Sequence, residues 1–195
     1  MKIAIIDYGA SNLESVANAL TLLNKSFEII NDPQKLIGFD KIILPGVGAA
    51  GSAMEKLTKS GFAKILPKLK IPTLGICLGL QLFSDFSEED SIKCLSIIPG
   101  KVKRFQTELK VPHMGWNKVE FIKKSSLIAD IPNNSFFYFV HSYYLETEDK
   151  FVIGKTAYDI NFPAIIQKDN FYAVQFHPEK SGQWGLKLLA NFCDL

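Results

Sequence analysis

The chain is poor in features that would mark several common kinds of protein. Its 195 residues include three cysteines, Cys77, Cys94 and Cys193, odd in number and far apart. That spacing builds neither a disulfide framework nor a zinc-ligand cluster, so a reducing, cytoplasmic setting is expected. Neither charge sign dominates: 22 basic and 20 acidic residues leave a formal charge of +2, with no basic stripe for nucleic acid. Long hydrophobic runs are absent too. The opening Met1 to Asp7 meets a carboxylate after four apolar residues, too few for a secretory signal, and no stretch is long enough to span a bilayer. Repeats, low-complexity tracts and interdomain linkers are missing, and 47% hydrophobic residues can fill one substantial core. One domain over residues 1–195 and a small ligand are expected.

What is present alternates. Ile3 to Ile6 is a short apolar run of the kind buried on both faces of a parallel sheet. Ser11 to Glu14 has capping-box spacing, and Leu13, Val16, Ala17, Leu20 and Leu23 follow at helical intervals. Strands are predicted at Phe27 to Ile30, Lys41 to Leu44 and Thr73 to Ile76, with helices from near Gly51 and over Leu78 to Phe83. From about Pro99 the chain turns to β-rich segments around Val102, Lys118 to Phe121, Phe136 to Val140, Phe151 to Tyr158 and Ala164 to Gln167. Asn133-Asn134 and Asp169-Asn170 read as turns among them. Phe171 to Phe176 reads as a further strand, and a last helix turns Leu188, Leu189 and Phe192 inward. The pattern predicts an α/β fold: a mostly parallel central sheet flanked by helices, with an added antiparallel portion in the second half.

Gly75-Ile76-Cys77-Leu78-Gly79 lies between a predicted strand and a predicted helix, the form of a nucleophile elbow with cysteine for serine. Glycines two residues away on each side would relieve the crowding of so sharp a turn. A helix start would favour the thiolate. A small buried hydrophobe is the competing reading, and the pentapeptide alone does not choose. The other residues do. Only three histidines occur, and His177 ends a strand whose carboxyl end would share an edge with Cys77. Glu179, across Pro178, can accept from the imidazole and set its tautomer. Pro45-Gly46-Val47-Gly48 closes another strand at that edge, where the N–H of Val47 and that of Leu78 could hold an oxyanion. The loop is too short, and lacks the lysine, for a phosphate-binding loop.

With those residues assembled, Gly75 to Gln81 and Gln175-Phe176-His177-Pro178-Glu179 resemble the nucleophile and base segments of the class I (triad) glutamine amidotransferases. Ile6 to Gly9, Pro45 to Gly48, Val111 to Asn117, Tyr138 to Tyr143 and His177 to Ser181 together resemble the glutaminase subunits of imidazole glycerol phosphate synthase, over nearly the whole chain. The resemblance implies the flavodoxin-like fold of that class and hydrolysis of L-glutamine by Cys77, His177 and Glu179. It also implies a heterodimer with a cyclase subunit of (β/α)8 barrel fold, which uses the ammonia to make imidazole glycerol phosphate and AICAR in histidine biosynthesis. By position, Gln81 and the backbone of Ser142 and Tyr143 would hold glutamine, Val47 and Gly48 would line its carbonyl side, and Lys180 would face an acidic residue of the partner. No metal or organic cofactor is required. Ser11 and Glu14 stand where the family usually has glycine and arginine, near the expected partner surface. That departure leaves open a paralogous role, supplying ammonia for sugar amidation in surface glycans. A stand-alone cysteine hydrolase and a non-catalytic binding subunit are the readings from other classes. His113 has no assigned role.

Overall fold

The computed structural model describes residues 1–9 and 12–195. The first half runs β1 (Ile3–Ile6), α1 (Leu13–Leu22), β2 (Phe27–Ile30), β3 (Lys41–Gly46), α2 (Ala50–Ser60), α3 (Phe62–Ile65), β4 (Thr73–Cys77) and α4 (Leu78–Leu82). The second half contains β5 (Phe86–Ser87), β6 (Ile92–Lys93), β7 (Gly100–Arg104), β8 (His113–Phe121), β9 (Ser135–His141) and β10 (Tyr143–Thr147). It continues with β11 (Val152–Tyr158), β12 (Ile160–Lys168) and β13 (Phe171–Val174), then closes with α5 (Gly182–Cys193).

Among the described residues, nine strands form one sheet in the order β2-β1-β3-β4-β13-β12-β11-β8-β9, parallel from β2 through β13 and antiparallel from there on. The expected α/β class and the added antiparallel portion are both present. Four short strands, β10-β7-β5-β6, make a second sheet. Every residue of β1, β4 and β13 is buried. Alternation then divides them: Ile3, Ile5, Leu74 and Ile76 join the core cluster that includes Leu188 and Phe192 of α5, while Ala4 and Ile6 join the cluster with Ala53 and Leu57 of α2. Each such side chain removed from water contributes about 1.5–3 kcal/mol, so burial on both faces is what makes these short apolar runs strands.

Helix α1 buries Val16, Ala19 and Leu20, with Leu13, Ala17 and Leu23 packed at the margin. The predicted capping box reaches Ser11, which lies outside the described residues. Glu14 is exposed in the first turn of α1, where a carboxylate is favoured by the helix dipole. The predicted turns at Asn134 and Asp169 have φ of 63° and 52°, backbone that Asn and Asp tolerate. Several boundaries differ from the sequence reading: β3 does not stop at Pro45 but pairs with β4 through Gly46, and β4 runs on to Cys77. β8 and β12 start earlier, at His113 and Ile160, because cross-strand pairing with β9 and β11 extends beyond the apolar run. β13 stops at Val174 rather than Phe176, because the chain then leaves β4: the N–H of His177 donates to the Tyr138 carbonyl at 2.9 Å. The small sheet was not foreseen. Among the described residues no helix is long and apolar enough to cross a membrane.

Candidate active site

The parallel register builds the site. Gly46 pairs with Cys77 across β3 and β4, and Val174 pairs with Ile76 across β13 and β4. The loop at Val47, the nucleophile candidate Cys77 and the base candidate His177 therefore emerge at one sheet edge. Cys77 has φ 53° and ψ −107°, a strained conformation for a residue with a Cβ, and α4 begins at the next residue. The glycines make this turn possible. A Cβ on Gly79 would overlap the Leu44 carbonyl oxygen, and one on Gly75 would lie 2.8 Å from the backbone of Gly79.

His177 is bolted down from behind. Its carbonyl accepts from Ser181 Oγ at 2.6 Å, and Ser181 Oγ accepts from the Tyr138 N–H at 3.0 Å. The imidazole Nδ1 lies 2.8 Å from Glu179 Oε1, with the two side chains 2% and 0% exposed. A carboxylate cannot donate, so the proton is on Nδ1 and Nε2 is the working nitrogen. Nε2 is buried and makes no hydrogen bond among the described residues. Burial opposes the imidazolium, but the Cys77 sulfur and the Glu179 carboxylate outweigh it and push the His177 pKa up to about 10.

A cavity of about 310 Å³ opens onto this edge. Cys77, Leu78, Val47, Gly48, Gln81, Ser142, Tyr143 and His177 all line it, so the sequence-derived substrate and oxyanion residues converge. Leu78 opens α4, where backbone N–H groups have no intrahelical acceptor. Gln81 Nε2 donates to the Tyr143 carbonyl at 2.9 Å and to Gln175 Oε1 at 3.2 Å. Both amide protons are thus committed, and what Gln81 can present to a ligand is its oxygen. Glu179 is the exception among the triad residues: it stands behind the ring, away from the cavity lining. Lys180 lies apart, exposed and without an ion pair among the described residues, beside a separate cavity reached by Ser15, Asn18 and Glu179.

Several contributors were not singled out from the sequence. Glu89 lines the main cavity, accepts from the Ala50 N–H at 2.8 Å, and has its pKa raised by burial. Gln175, fully buried, points its amide at Cys77 Sγ at 3.8 Å. Asn12 donates to Glu179 Oε1 at 2.7 Å. Of these Gln175 carried a signal, its place two residues before the base; Asn12 read only as part of the helix start at Ser11 to Glu14, and Glu89 was not singled out.

Residues 4–195 match the model of the glutamine amidotransferase class-I family, and the chain belongs to that family. It is 50% identical to imidazole glycerol phosphate synthase subunit HisH of Methanocaldococcus jannaschii over 196 residues, covering 99% of each chain. The HisH subunit of Herpetosiphon aurantiacus is 46% identical, with 99% of this chain and 94% of that one covered. Within the class, this chain is accordingly a member of the HisH family. A solved glutamine amidotransferase shares the fold with a TM-score of 0.76 at 15% identity, covering 98% of this chain and 97% of that one. These relatives do not favour the sugar-amidating alternative.

Proposed function

We propose that this chain is the glutamine-hydrolysing subunit of imidazole glycerol phosphate synthase and passes ammonia to a cyclase subunit. One observation carries the chemistry: Cys77 and His177 line one cavity at the sheet edge, with Glu179 behind the His177 ring, and the cavity's further polar groups suit an amino acid. The Gln81 oxygen and the Glu89 carboxylate are acceptors, fit for the α-ammonium of glutamine. The backbone at Ser142 and Tyr143 borders the cavity opposite and suits the α-carboxylate.

In the forward reaction the Cys77 sulfur attacks the carboxamide carbon, and the carbonyl electrons move onto oxygen. The N–H groups of Leu78 and Val47 receive that charge. The imidazolium of His177 then gives its Nε2 proton to the departing nitrogen, and ammonia leaves as the thioester forms. Neutral His177 next removes a proton from water. The hydroxide adds to the thioester, the C–S bond breaks, and glutamate departs with Cys77 and His177 restored. Glu179 keeps the ring oriented throughout. Gly48 borders the carbonyl side, and Lys180 is free to meet an acidic residue of the partner. One domain working in the cytoplasm completes this reading, with turnover low alone and raised when the partner is bound and loaded.

A glutamine analogue bearing an electrophilic ketone tests the site directly. Mass spectrometry should find one adduct per chain, on Cys77, and none in Cys77→Ala. An adduct elsewhere, or glutamine turnover retained by Cys77→Ala, overturns the assignment.

A further inference from the structure

Two histidines remain outside the chemistry just described. His113 and His141 are register partners in the antiparallel pair β8·β9, so their side chains share one face. His113 Nδ1 lies 3.0 Å from His141 Nε2, His141 Nδ1 lies 2.7 Å from the Tyr143 carbonyl oxygen, and Asn117 Nδ2 lies 3.2 Å from His113 Nε2. A carbonyl has no proton to give, so His141 donates from Nδ1 and its Nε2 is an acceptor. His113 must then donate from Nδ1 and accept at Nε2, from the Asn117 amide. The Asn117 orientation agrees: its Oδ1 accepts from the Lys118 N–H at 2.9 Å, and its Nδ2 also donates to the Ala157 carbonyl at 2.9 Å. Every bond in the row runs the same way.

Both rings must be neutral for that row to exist. Burial pushes His113 down to about 4 and His141 to about 3. The His113 ring is also clamped, stacked on Tyr158 at 4.1 Å and on Phe139 at 5.0 Å between centroids. The row ends on a loaded atom. Tyr143 O accepts from His141 Nδ1 and from Gln81 Nε2, which fills both lone pairs.

We propose that Asn117, His113 and His141 form a one-way hydrogen-bond relay that positions the Ser142–Tyr143 bend and, through Tyr143 O, the Gln81 amide, setting the affinity for glutamine. His113 and His141 are positioning residues here. The proposal rests on the glutaminase reading for its substrate, and on the geometry alone for the row itself. Cutting the row at His113 leaves His141 Nε2 buried without a donor. His141 can then hold that proton itself, and Tyr143 O loses one of its two anchors.

The test pairs two variants, measured with the partner subunit bound, with a spectrum of the unaltered chain. His113→Phe keeps a ring in the aromatic box and removes the donor; loss of one hydrogen bond predicts a rise of about tenfold in KM for glutamine, with kcat within about threefold. His113→Asn places an amide N–H near the Nδ1 position and should recover most of that KM. A wild-type KM in His113→Phe overturns the proposal, as does a His113→Asn no better than His113→Phe. Should His113→Phe fail to fold, nitrogen-15 histidine spectra of the wild-type chain decide: both rings are expected neutral with the proton on Nδ1 at neutral pH. An Nε2–H tautomer on either ring overturns the relay. Wild-type protein that leaves glutamine intact with its partner would instead sink the glutaminase reading, while the spectrum still tests the row.

Discussion

His177 lies three residues past the end of the parallel strand β13, against a sulfur and a carboxylate, whereas His113 and His141 face each other across antiparallel strands among aromatic rings. All three rings are buried. Burial works against a charged imidazole in each, yet one pKa rises to about 10 and the others fall to about 4 and about 3. The difference is in the partners: the Cys77 sulfur and the Glu179 carboxylate outweigh desolvation at His177, whereas at His141 the Tyr143 carbonyl offsets it only in part and the neighbouring imidazoles add to it, and at His113 burial stands alone. On the proposed mechanism the two regions divide the work, one holding a mobile proton and the other fixed ones.

The largest effect is expected from Cys77→Ala, which removes the proposed attacking atom and should cost on the order of 10⁴-fold or more in glutamine turnover. Glu179→Gln comes next. Without the carboxylate, the tautomer and charge of His177 are no longer enforced, and turnover should fall by roughly 10²–10⁴-fold. Its pKa should drop back toward the ordinary imidazole range, which an NMR titration of His177 would read. If that pKa stays high, Glu179 is not what sustains the imidazolium.

Gly79→Ala perturbs the scaffold under the first region rather than its charges. The new Cβ would meet the Leu44 carbonyl, and overpacking of this kind costs about 1–3 kcal/mol, readable in a denaturant midpoint. The smallest effect concerns pH. A raised native pKa gives His177 a stabilising share that is complete below its ordinary value of 6.5 and fades as pH rises toward about 10. For His113 and His141 the sign reverses: their share is complete above 6.5 and fades as pH falls toward about 4 and about 3. His113→Phe should therefore flatten the acid limb of the stability curve and leave the alkaline limb alone. An unchanged acid limb would show that these rings do not pay for their burial in protons.

The same contrast explains what was legible in the sequence. Cys77, His177 and Glu179 could be placed because each sits at, or just after, the end of a short apolar run, and strand ends of a parallel sheet share an edge. Ile3 to Ile6 and Phe27 to Ile30 matched to the residue, since burial on both faces or tight turns mark their limits. The His113–His141 pairing depends on antiparallel register between strands whose partners lie 28 residues apart, and no local pattern encodes it. Glu89 and Asn12 escaped for a similar reason. Each reaches the site through a distant contact, to Ala50 and to Glu179, which no local pattern encodes.

The decisive experiment is glutamine hydrolysis measured on the purified chain, alone and with the cyclase subunit plus its ribonucleotide substrate. A slow rate alone that rises strongly in the loaded complex, and vanishes in Cys77→Ala, is the predicted result. Glutamine turnover that is equal with and without the partner, or that survives loss of Cys77, would contradict it.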